Sequence, residues 1–335
     1  MFQPENFLGD AVMARLTQTR IDDPEFPHRV AQQRRRRERI APKGKLNILA
    51  ADHPARRVTK AIADPLGMAD RRSYLARIVR VLQSETVDGL MATMDILEEL
   101  FILDGFLREA GGASLLDGKL LIASLNRGGL AGSSWELDDP VTGPTAATCS
   151  AWWLDGAKFL LRIADSDPAS LKTMLAAAHA ITECNEHGIP MFLEPLPVTR
   201  NGTAWSVEKE VDALARIAGV ASALGDSSRH LWLKLPYCAG FEKVARATTL
   251  PILLLGGESA GDPKPFLDEL SAALDSGANI RGALVGRNVL FPGDADPQAM
   301  AEAVGGIVHQ GWSVKQALAS LAAHRGVGMD LFGKR

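Results

Sequence analysis

The sequence predicts an α/β chain folded as a (β/α)8 barrel, a TIM barrel, with helical extensions at both ends. Three observations support this fold class. Eight short apolar runs follow residue 45, and they start 21 to 41 residues apart, which is the spacing of strand–helix units. The runs are nearly continuous in apolar residues, as strands covered on both faces are. Together they span about 250 residues, the usual size of such a barrel.

The eight predicted strands follow one another along most of the chain. They are LNILAAD from Leu46, VDGLMATMD from Val87, KLLIASLN from Lys119, GAKFLLRI from Gly156, PMFLEP from Pro190, HLWLKLPY from His230, PILLLGG from Pro251 and IRGALVGRN from Ile280. Between them, residues 169–187 and 207–224 place apolar side chains at helical spacing. A doubly wound open sheet is the competing architecture, but no glycine fingerprint follows the first strand.

The remaining segments divide the chain into one domain with two additions. We expect residues 1–44 to form an N-terminal helical extension, residues 45–310 the barrel, and residues 311–335 a C-terminal helix and tail. Residues 127–148 are rich in Gly, Ser, Thr and Pro, which predicts a long loop that precedes or replaces part of a helix.

Composition excludes several classes of protein. The 37 Lys and Arg against 40 Asp and Glu leave a net charge of −3, which suggests neither nucleic acid nor a membrane surface as the main partner. No apolar run approaches the roughly 20 residues that span a bilayer, and no basic segment followed by an apolar run begins the chain. The three cysteines are far apart, with no C-x-x-C. We therefore expect a soluble, cytoplasmic protein.

One cluster of basic residues stands out from this nearly neutral composition. Five arginines, Arg34, Arg35, Arg36, Arg37 and Arg39, fall within six residues. No aromatic residues interleave with them, which argues against a nucleic-acid interface. We expect a helix over residues 29–39 whose arginines form a solvated face or contact an acidic patch of another subunit.

Lys234 interrupts the apolar run HLWLKLPY, and period-two alternation puts it on the same face as Trp232 and Pro236. A lysine facing a barrel interior loses hydration, which lowers its pKa, and the neutral amine can attack a carbonyl to form a Schiff base. The position is equally compatible with a lysine that reaches water or pairs with a carboxylate for structural reasons.

Two carboxylates could act with this lysine, because chemistry in such barrels occurs at the carboxyl ends of the strands. Glu194 lies one strand before Lys234, and Asp52 ends the first strand. Iminium chemistry requires groups that donate and accept protons, and both carboxylates are of a suitable type. A structural role, balancing the charges of Lys234 and Arg162, remains an equal alternative.

Glycines and arginines at the last strands predict a phosphate site. Gly256-Gly257 and Gly286-Arg287 follow strands seven and eight, whose loops usually bind phosphate in this fold. Their backbone N–H groups and the Arg287 guanidinium would suit a phosphate monoester. Arg162, at the end of strand four, is a further candidate for binding substrate. Tight turns alone would also account for the glycines.

No metal site is expected. His53 could act as a base or a metal ligand, but no second His, Asp or Glu stands at ligand spacing beside it, so a local hydrogen-bonding role is favoured.

Five motifs in these strands resemble one family. They are AADHP at 50–54, FLEP at 192–195, LWLKLPY at 231–237, LLGGE at 254–258 and ALVGRNV at 283–289. In this order they are similar to the motifs of class I, Schiff-base aldolases of the DeoC/FbaB/LacD superfamily. That superfamily includes archaeal-type fructose-bisphosphate, tagatose-bisphosphate and deoxyribose-phosphate aldolases.

The resemblance implies that Lys234 forms the Schiff base, that Asp52 assists proton transfer, and that the glycines and Arg287 hold a substrate phosphate. Fructose-bisphosphate aldolases of the archaeal type have a tyrosine where this chain has Glu194, whereas the tagatose-bisphosphate branch is more similar to FLEP. This departure favours Glu194 as the acid/base and disfavours fructose bisphosphate as substrate. The loop at 127–148 matches no branch of the family.

The sequence therefore predicts a metal-independent aldehyde-lyase without cofactor, a homo-oligomer, that cleaves or forms a C–C bond in a phosphorylated ketose or keto-sugar acid. Two other classes remain open. One is a metal-assisted barrel lyase or isomerase that uses Asp52, His53 and Glu194. The other is a non-catalytic barrel that binds a sugar phosphate, since fold and phosphate site do not establish chemistry.

Overall fold

A computed structural model describes residues 2–202, 204–324 and 331–332. Eight parallel strands close into a barrel, which confirms the predicted fold class. Their bounds are β1 Leu46–Ala51, β2 Gly89–Ala92, β3 Leu120–Ser124, β4 Gly156–Ile163, β5 Met191–Asn201, β7 Leu231–Pro236, β8 Ile252–Leu255 and β9 Ile280–Val285. The short strand β6, Ala204–Val207, lies outside the ring. Every one coincides with a predicted apolar run. The strand order is β4-β3-β2-β1-β9-β8-β7-β5, and pairing of β4 with β5 closes the ring.

Helices cover the outside of the barrel and extend it at both ends. They are α1 Pro4–Phe7, α2 Asp10–Asp22, α3 Phe26–Gln33, α4 Arg71–Leu82, α5 Met94–Glu109, α6 Ala146–Ala151, α7 Ala169–Glu186, α8 Val211–Ser222, α9 Phe241–Arg246, α10 Pro263–Asp275, α11 Arg287–Leu290, α12 Pro297–Gln310 and α13 Val314–Ala323. Asp262 and Asp296 cap α10 and α12 by accepting hydrogen bonds from backbone N–H groups. In the described part of the chain, no helix is long and apolar enough to cross a membrane. Parts of the C-terminal tail predicted over 311–335 lie outside the described residues.

The barrel interior changes from apolar to charged along the strands. Its lower layers are aliphatic and aromatic side chains: Leu46, Ile48, Ala50, Met91, Leu120, Ile122, Phe192, Leu253 and Leu284. Alternation along each strand carries the same inward face to polar residues near the carboxyl ends: Asp52, Ser124, Lys158, Glu194 and Lys234. The apolar layers stabilise the barrel, and the charged layer above them forms the floor of the candidate site.

One predicted helix start is wrong. Val207 does not begin a helix, because it ends β6 (Ala204–Val207), which pairs antiparallel with the long extension of β5. The helix itself, α8, begins four residues later at Val211. The predicted loop after β3 is present and leaves only the short α6 before β4.

The arginine cluster also differs from expectation. Helix α3 ends at Gln33, so Arg34 and the residues after it are not helical. Arg34 is buried rather than solvated: its guanidinium lies 2.8 Å from the Asp155 carboxylate and donates to the carbonyls of Lys119 and Trp153. The acidic partner is therefore a residue of this chain.

Neighbouring arginines make similar contacts. Arg36 Nε lies 2.9 Å from Asp155, and Arg37 lies 2.9 Å from Asp88. These aspartates precede β4 and β2, at the amino ends of the strands. The arginine cluster thus joins the N-terminal extension to the base of the barrel, at the end opposite to the carboxyl ends of the strands.

Candidate active site

Lys234 lies on β7 with its amine in the centre of the charged layer. Its side chain is only 7% exposed, and Nζ lies 2.9 Å from Glu194 Oε1. Glu194 is placed by β5, which pairs with β7 in parallel register. The structure therefore shows the predicted approach of these two side chains, which come from neighbouring strands of the barrel.

A second lysine contacts the same carboxylate. Lys158 on β4 is fully buried, and its Nζ lies 2.6 Å from Glu194 Oε2 and 3.2 Å from Asp52 Oδ2. Asp52 also contacts the Arg127 guanidinium and accepts a hydrogen bond of 3.0 Å from Ser124 Oγ. Alternating positive and negative groups thus run from Arg127 through Asp52, Lys158 and Glu194 to Lys234.

Burial determines the protonation tendencies of the two lysines. The pKa of Lys234 is lowered from its ordinary value of 10.5 because the amine is removed from water; Glu194 partly opposes this shift, and the Arg127 and Arg287 charges add to it. Burial also lowers the pKa of Lys158, well below 10.5, and Arg127 contributes in the same direction. Both amines are therefore easier to deprotonate than a lysine in water.

Glu194 is shifted in favour of its charged form. Burial by itself would raise the pKa of this carboxyl, but Lys158 and Lys234, with a further contribution from Arg127, hold it well below its usual value of 4.5. Glu194 is therefore ionised at neutral pH and can accept a proton.

Above this layer opens a cavity of about 300 Å³. Its lining includes Lys234, Glu194, Asp52, His53 and five residues from the loops at its mouth: Arg56, Arg127, Lys209, Glu258 and Arg287. Lys158 is not among the lining residues, because it lies beneath Glu194. Five of the lining side chains are basic and three are acidic, which favours an anionic ligand.

Two of the four predicted phosphate residues line this cavity. Gly257 and Arg287 belong to the lining, and Arg287 Nη1 lies 3.4 Å from the exposed Glu258 carboxylate. Gly257 has a φ of +66°, a conformation that favours glycine. A Cβ at Gly256 would lie 2.4 Å from Val285 Cγ2, and one at Gly286 equally close to the Ala50 carbonyl. Gly256 and Gly286 thus permit close packing behind the cavity wall.

Arg162 has another partner. Its guanidinium is buried, lies 2.5 Å from Glu136 Oε1 and donates to the Gly129 carbonyl. Glu136 also accepts a hydrogen bond of 3.2 Å from Arg56. Arg162 is not part of the cavity lining. The geometry therefore does not support the prediction that Arg162 binds substrate, because it anchors the loop at 127–148 to β4 through Glu136. Arg56, which does line the cavity, contacts the same carboxylate.

Two residues of the site were not among those predicted from the sequence. Lys158 interrupts the apolar strand GAKFLLRI as Lys234 interrupts its own, and alternation places it on the same face as Arg162. Lys158 could therefore have been found by the same pattern as Lys234. Arg127 lies three residues after the end of β3, but an arginine near a strand end does not by itself reveal that it contacts Asp52.

The chain was compared with known protein families and structures. A Cgl0159-like family model matches residues 44–305, which is most of the chain and all eight barrel strands. The chain belongs to the Cgl0159-like family. The crystal structure of Cgl0159 from Corynebacterium glutamicum is 34% identical, covers 93% of this chain and 99% of that one, and superposes with a TM-score of 0.83.

Relatives and neighbours of this family member are aldolase-like barrels. An uncharacterized aldolase of Saccharolobus solfataricus is 33% identical, but the match spans only 41% of this chain and 47% of that protein. A 2-amino-3,7-dideoxy-D-threo-hept-6-ulosonate synthase of Archaeoglobus fulgidus is 25% identical over 82% of this chain and 90% of its own length. An archaeal fructose-1,6-bisphosphate aldolase, whose catalytic lysine was captured as a carbinolamine, shares the fold at 19% identity. It covers 84% of this chain and 99% of its own, with a TM-score of 0.57. The archaeal fructose-1,6-bisphosphate aldolase therefore shows a shared barrel fold, and the family is the one given by the Cgl0159-like match.

Proposed function

We propose that this protein is a metal-independent class I aldolase that cleaves or forms a C–C bond in a phosphorylated ketose or keto-sugar acid. The observation that supports this most directly is the Lys234 amine, buried at the floor of a cationic cavity and 2.9 Å from the ionised Glu194. An amine with a lowered pKa beside a proton acceptor is the arrangement that Schiff-base catalysis needs.

In the cleavage direction, the neutral Lys234 amine adds to the substrate ketone, and the resulting carbinolamine loses water to give an iminium. A carboxylate then removes the proton from the hydroxyl two carbons away from the iminium carbon. The bond between the hydroxyl-bearing carbon and the carbon next to the iminium breaks, the hydroxyl-bearing carbon leaves as the aldehyde, and the electron pair of the broken bond enters the iminium to form an enamine. Protonation of the enamine carbon and hydrolysis release the ketone and return the lysine.

Glu194 is the preferred proton acceptor. One of its oxygens lies beside the Lys234 amine, and it belongs to the cavity lining. Asp52 also lines the cavity, but its Oδ2 is already contacted by Arg127, Lys158 and Ser124. We therefore assign the hydroxyl proton to Glu194 and a role in holding Lys158 and Arg127 to Asp52.

The substrate class follows from the charge of the cavity. Arg287 and the backbone at Gly257 would bind the phosphate, in line with the usual phosphate site of this fold. Arg56 and Lys209 provide further positive charge at the mouth, which suits a second anionic group such as a carboxylate. The Archaeoglobus fulgidus relative is an ulosonate synthase, which is consistent with a keto-sugar acid as substrate.

The decisive experiment is chemical trapping. Borohydride reduction in the presence of dihydroxyacetone phosphate should attach the donor covalently to Lys234, as located by peptide mass spectrometry. Lys234→Ala should abolish both the adduct and turnover. Lys158→Ala serves as the second variant, because an adduct that persists there but disappears in Lys234→Ala assigns the nucleophile. Full turnover by Lys234→Ala would overturn the mechanism.

The same experiment separates the two alternative functions. A metal-assisted lyase or isomerase would lose activity with a chelator and regain it with a divalent ion, with no adduct on Lys234. A barrel that only binds a sugar phosphate would be stabilised by the ligand but would give no adduct with any donor.

A further inference from the structure

His53 is a residue of the cavity that the mechanism above does not use. It follows Asp52 directly and starts the short 3-10 turn Pro54–Arg56 after β1. The His53 carbonyl accepts hydrogen bonds from Arg56 N at 3.1 Å and Val58 N at 3.3 Å, so its backbone is held in place. Its imidazole lines the same cavity as Lys234 and Arg287.

The ring is fixed against the end of β9. Gly286 has no side chain, and a Cβ there would lie 2.4 Å from His53 Cε1. The imidazole thus occupies the space that any other residue at 286 would fill. Arg287 follows directly, so the ring lies beside the predicted phosphate site.

The imidazole has no protein partner in the part of the chain that the structure describes. Its Nδ1 is buried without a hydrogen bond, and Nε2 makes no hydrogen bond or ion pair with a described residue. Buried polar groups in proteins are nearly always paired, and an exception calls for an explanation. In a cavity lined by Lys234 and Arg287, the natural explanation is a partner supplied by the substrate.

The charges around His53 keep its ring neutral. Burial lowers the pKa of His53 well below 6.5, and Arg287 and Lys234 lower it further. Glu194 opposes this shift, and Lys158 adds to it. A neutral imidazole offers one donor and one acceptor. A dianion beside Arg287 would add negative charge next to the ring and so favour the protonated imidazole.

We propose that His53 is a substrate-binding residue whose imidazole hydrogen-bonds to the phosphate end of the substrate, between Arg287 and Lys234, and takes up a proton from solution as the dianion binds. This inference rests on the phosphate site of the proposed function. It adds a residue that contacts the ligand and a coupling between ligand binding and protonation.

The coupling predicts how binding depends on pH. Since the bound state holds one more proton, dianion affinity should increase as the pH falls through the pKa of His53 in the complex. Sulfate is a suitable probe, because it remains a dianion across the neutral range and does not itself titrate. Dihydroxyacetone phosphate is the second probe.

The test is isothermal titration calorimetry of the full chain in two buffers of different ionisation enthalpy. The wild-type protein should take up protons on binding sulfate or dihydroxyacetone phosphate. His53→Gln should bind sulfate about tenfold or more weakly, the size of a lost hydrogen bond to a charged group, and its sulfate binding should show no proton uptake. His53→Asn, which keeps an amide near the Nδ1 position, reports which ring nitrogen is used.

His309→Gln is the matched control, since His309 contacts Asp88 at the amino ends of the strands, away from the cavity. It should bind both probes as the wild-type protein does. Unchanged affinity and unchanged proton uptake in His53→Gln would overturn the inference, as would the absence of any dianion binding. Neither result affects borohydride trapping on Lys234, so failure here is distinguishable from failure of the proposed function.

Discussion

Lys158 Nζ lies 2.6 Å from Glu194 Oε2, on the carboxylate oxygen opposite to the one that contacts Lys234. Glu194 is therefore shared by two buried amines of which only Lys234 reaches the cavity. The two lysines therefore differ in their access to a ligand. Lys234 is accessible to a ketone, whereas Lys158 orients the carboxylate and keeps it ionised.

Removing Lys158 should change the pH profile as well as the rate. In Lys158→Met the pKa of Glu194 rises, because the largest charge that lowers it is lost. The acid limb of kcat/KM should therefore move to higher pH, and the rate should fall by about 10- to 100-fold. A pH–rate profile of the cleavage reaction measures both effects.

Lys119→Met is the matched control for this variant. Lys119 is half-buried just before β3, and its amine donates to the carbonyls of Ser84 and Val87 at the amino ends of the strands. Its removal should lower stability and leave the acid limb in place. An unchanged acid limb in Lys158→Met would contradict the assigned role.

Replacing Glu194 by glutamine should separate imine formation from proton transfer. The Glu194 charge raises the pKa of Lys234, so its loss should lower that pKa further. Borohydride trapping should then reach half its maximal rate at a lower pH than in the wild-type protein. Turnover should fall by about 10²- to 10⁴-fold, the usual contribution of a positioned acid or base.

Trapping rate against pH, followed by mass spectrometry, is the measurement for Glu194→Gln. Glu186→Gln, an exposed change at the end of the outer helix α7, should leave the trapping profile as it is. A profile in Glu194→Gln that moves to higher pH would show that Glu194 does not act on the Lys234 amine.

Arg287 should determine affinity for the phosphate. In Arg287→Met we expect KM for a phosphorylated donor to rise by about 10- to 100-fold, since a charge-assisted hydrogen bond contributes about 1.5–3 kcal/mol. Unphosphorylated dihydroxyacetone should react with nearly unchanged kinetics. Arg281→Met, at the amino end of β9, the strand that precedes Arg287, is the control. Equal losses with both donors would show that Arg287 does not bind the phosphate.

Much of the fold and the position of Lys234 inside the barrel could be predicted from the sequence. Near-continuous apolar runs at strand–helix spacing identify barrel strands because burial on both faces excludes polar residues, and Lys234 stands out against that background. The β5–β6 hairpin was missed although the dipeptide Asn-Gly, at residues 201–202, is a common turn signal in sequences, because the helical periodicity of residues 207–224 was extended one turn too far.

What the sequence could not show depends on contacts between distant residues. Arg162 ends a strand and resembles a substrate ligand, but its partner Glu136 lies in a loop whose path no periodicity predicts. Likewise, Arg34 becomes buried only because Asp155, 121 residues away, lies at the same end of the barrel. Charge type is visible in a sequence, whereas the pairing of charges is decided by tertiary structure.

The loop at 127–148 should depend on Glu136 for its attachment. In Glu136→Gln, the buried Arg162 loses its nearer charged partner but keeps the Asp139 carboxylate at 3.7 Å and its carbonyl contacts, so we expect a loss of about 2–3 kcal/mol in the free energy of unfolding. Asp138→Asn is the control in the same loop, because its contact with the exposed Lys172 should contribute less than about 1 kcal/mol. Urea denaturation measures both, and equal effects would contradict the assigned anchor.

The arginine cluster provides the sharpest comparison, because Arg34 and Arg36 contact the two oxygens of one carboxylate. Arg34 is 1% exposed in its side chain and Arg36 is 42% exposed, although both lie within 3 Å of Asp155. Arg34→Met leaves Asp155 without its buried partner and should lower the free energy of unfolding by about 3–5 kcal/mol. Arg36→Met should lower it by less than about 1 kcal/mol, because water solvates that guanidinium already. Urea denaturation of the two variants measures the difference. Equal losses would show that distance rather than burial decides how much each arginine contributes to the free energy of unfolding. They would also show that Arg34 is not the anchor of the N-terminal extension.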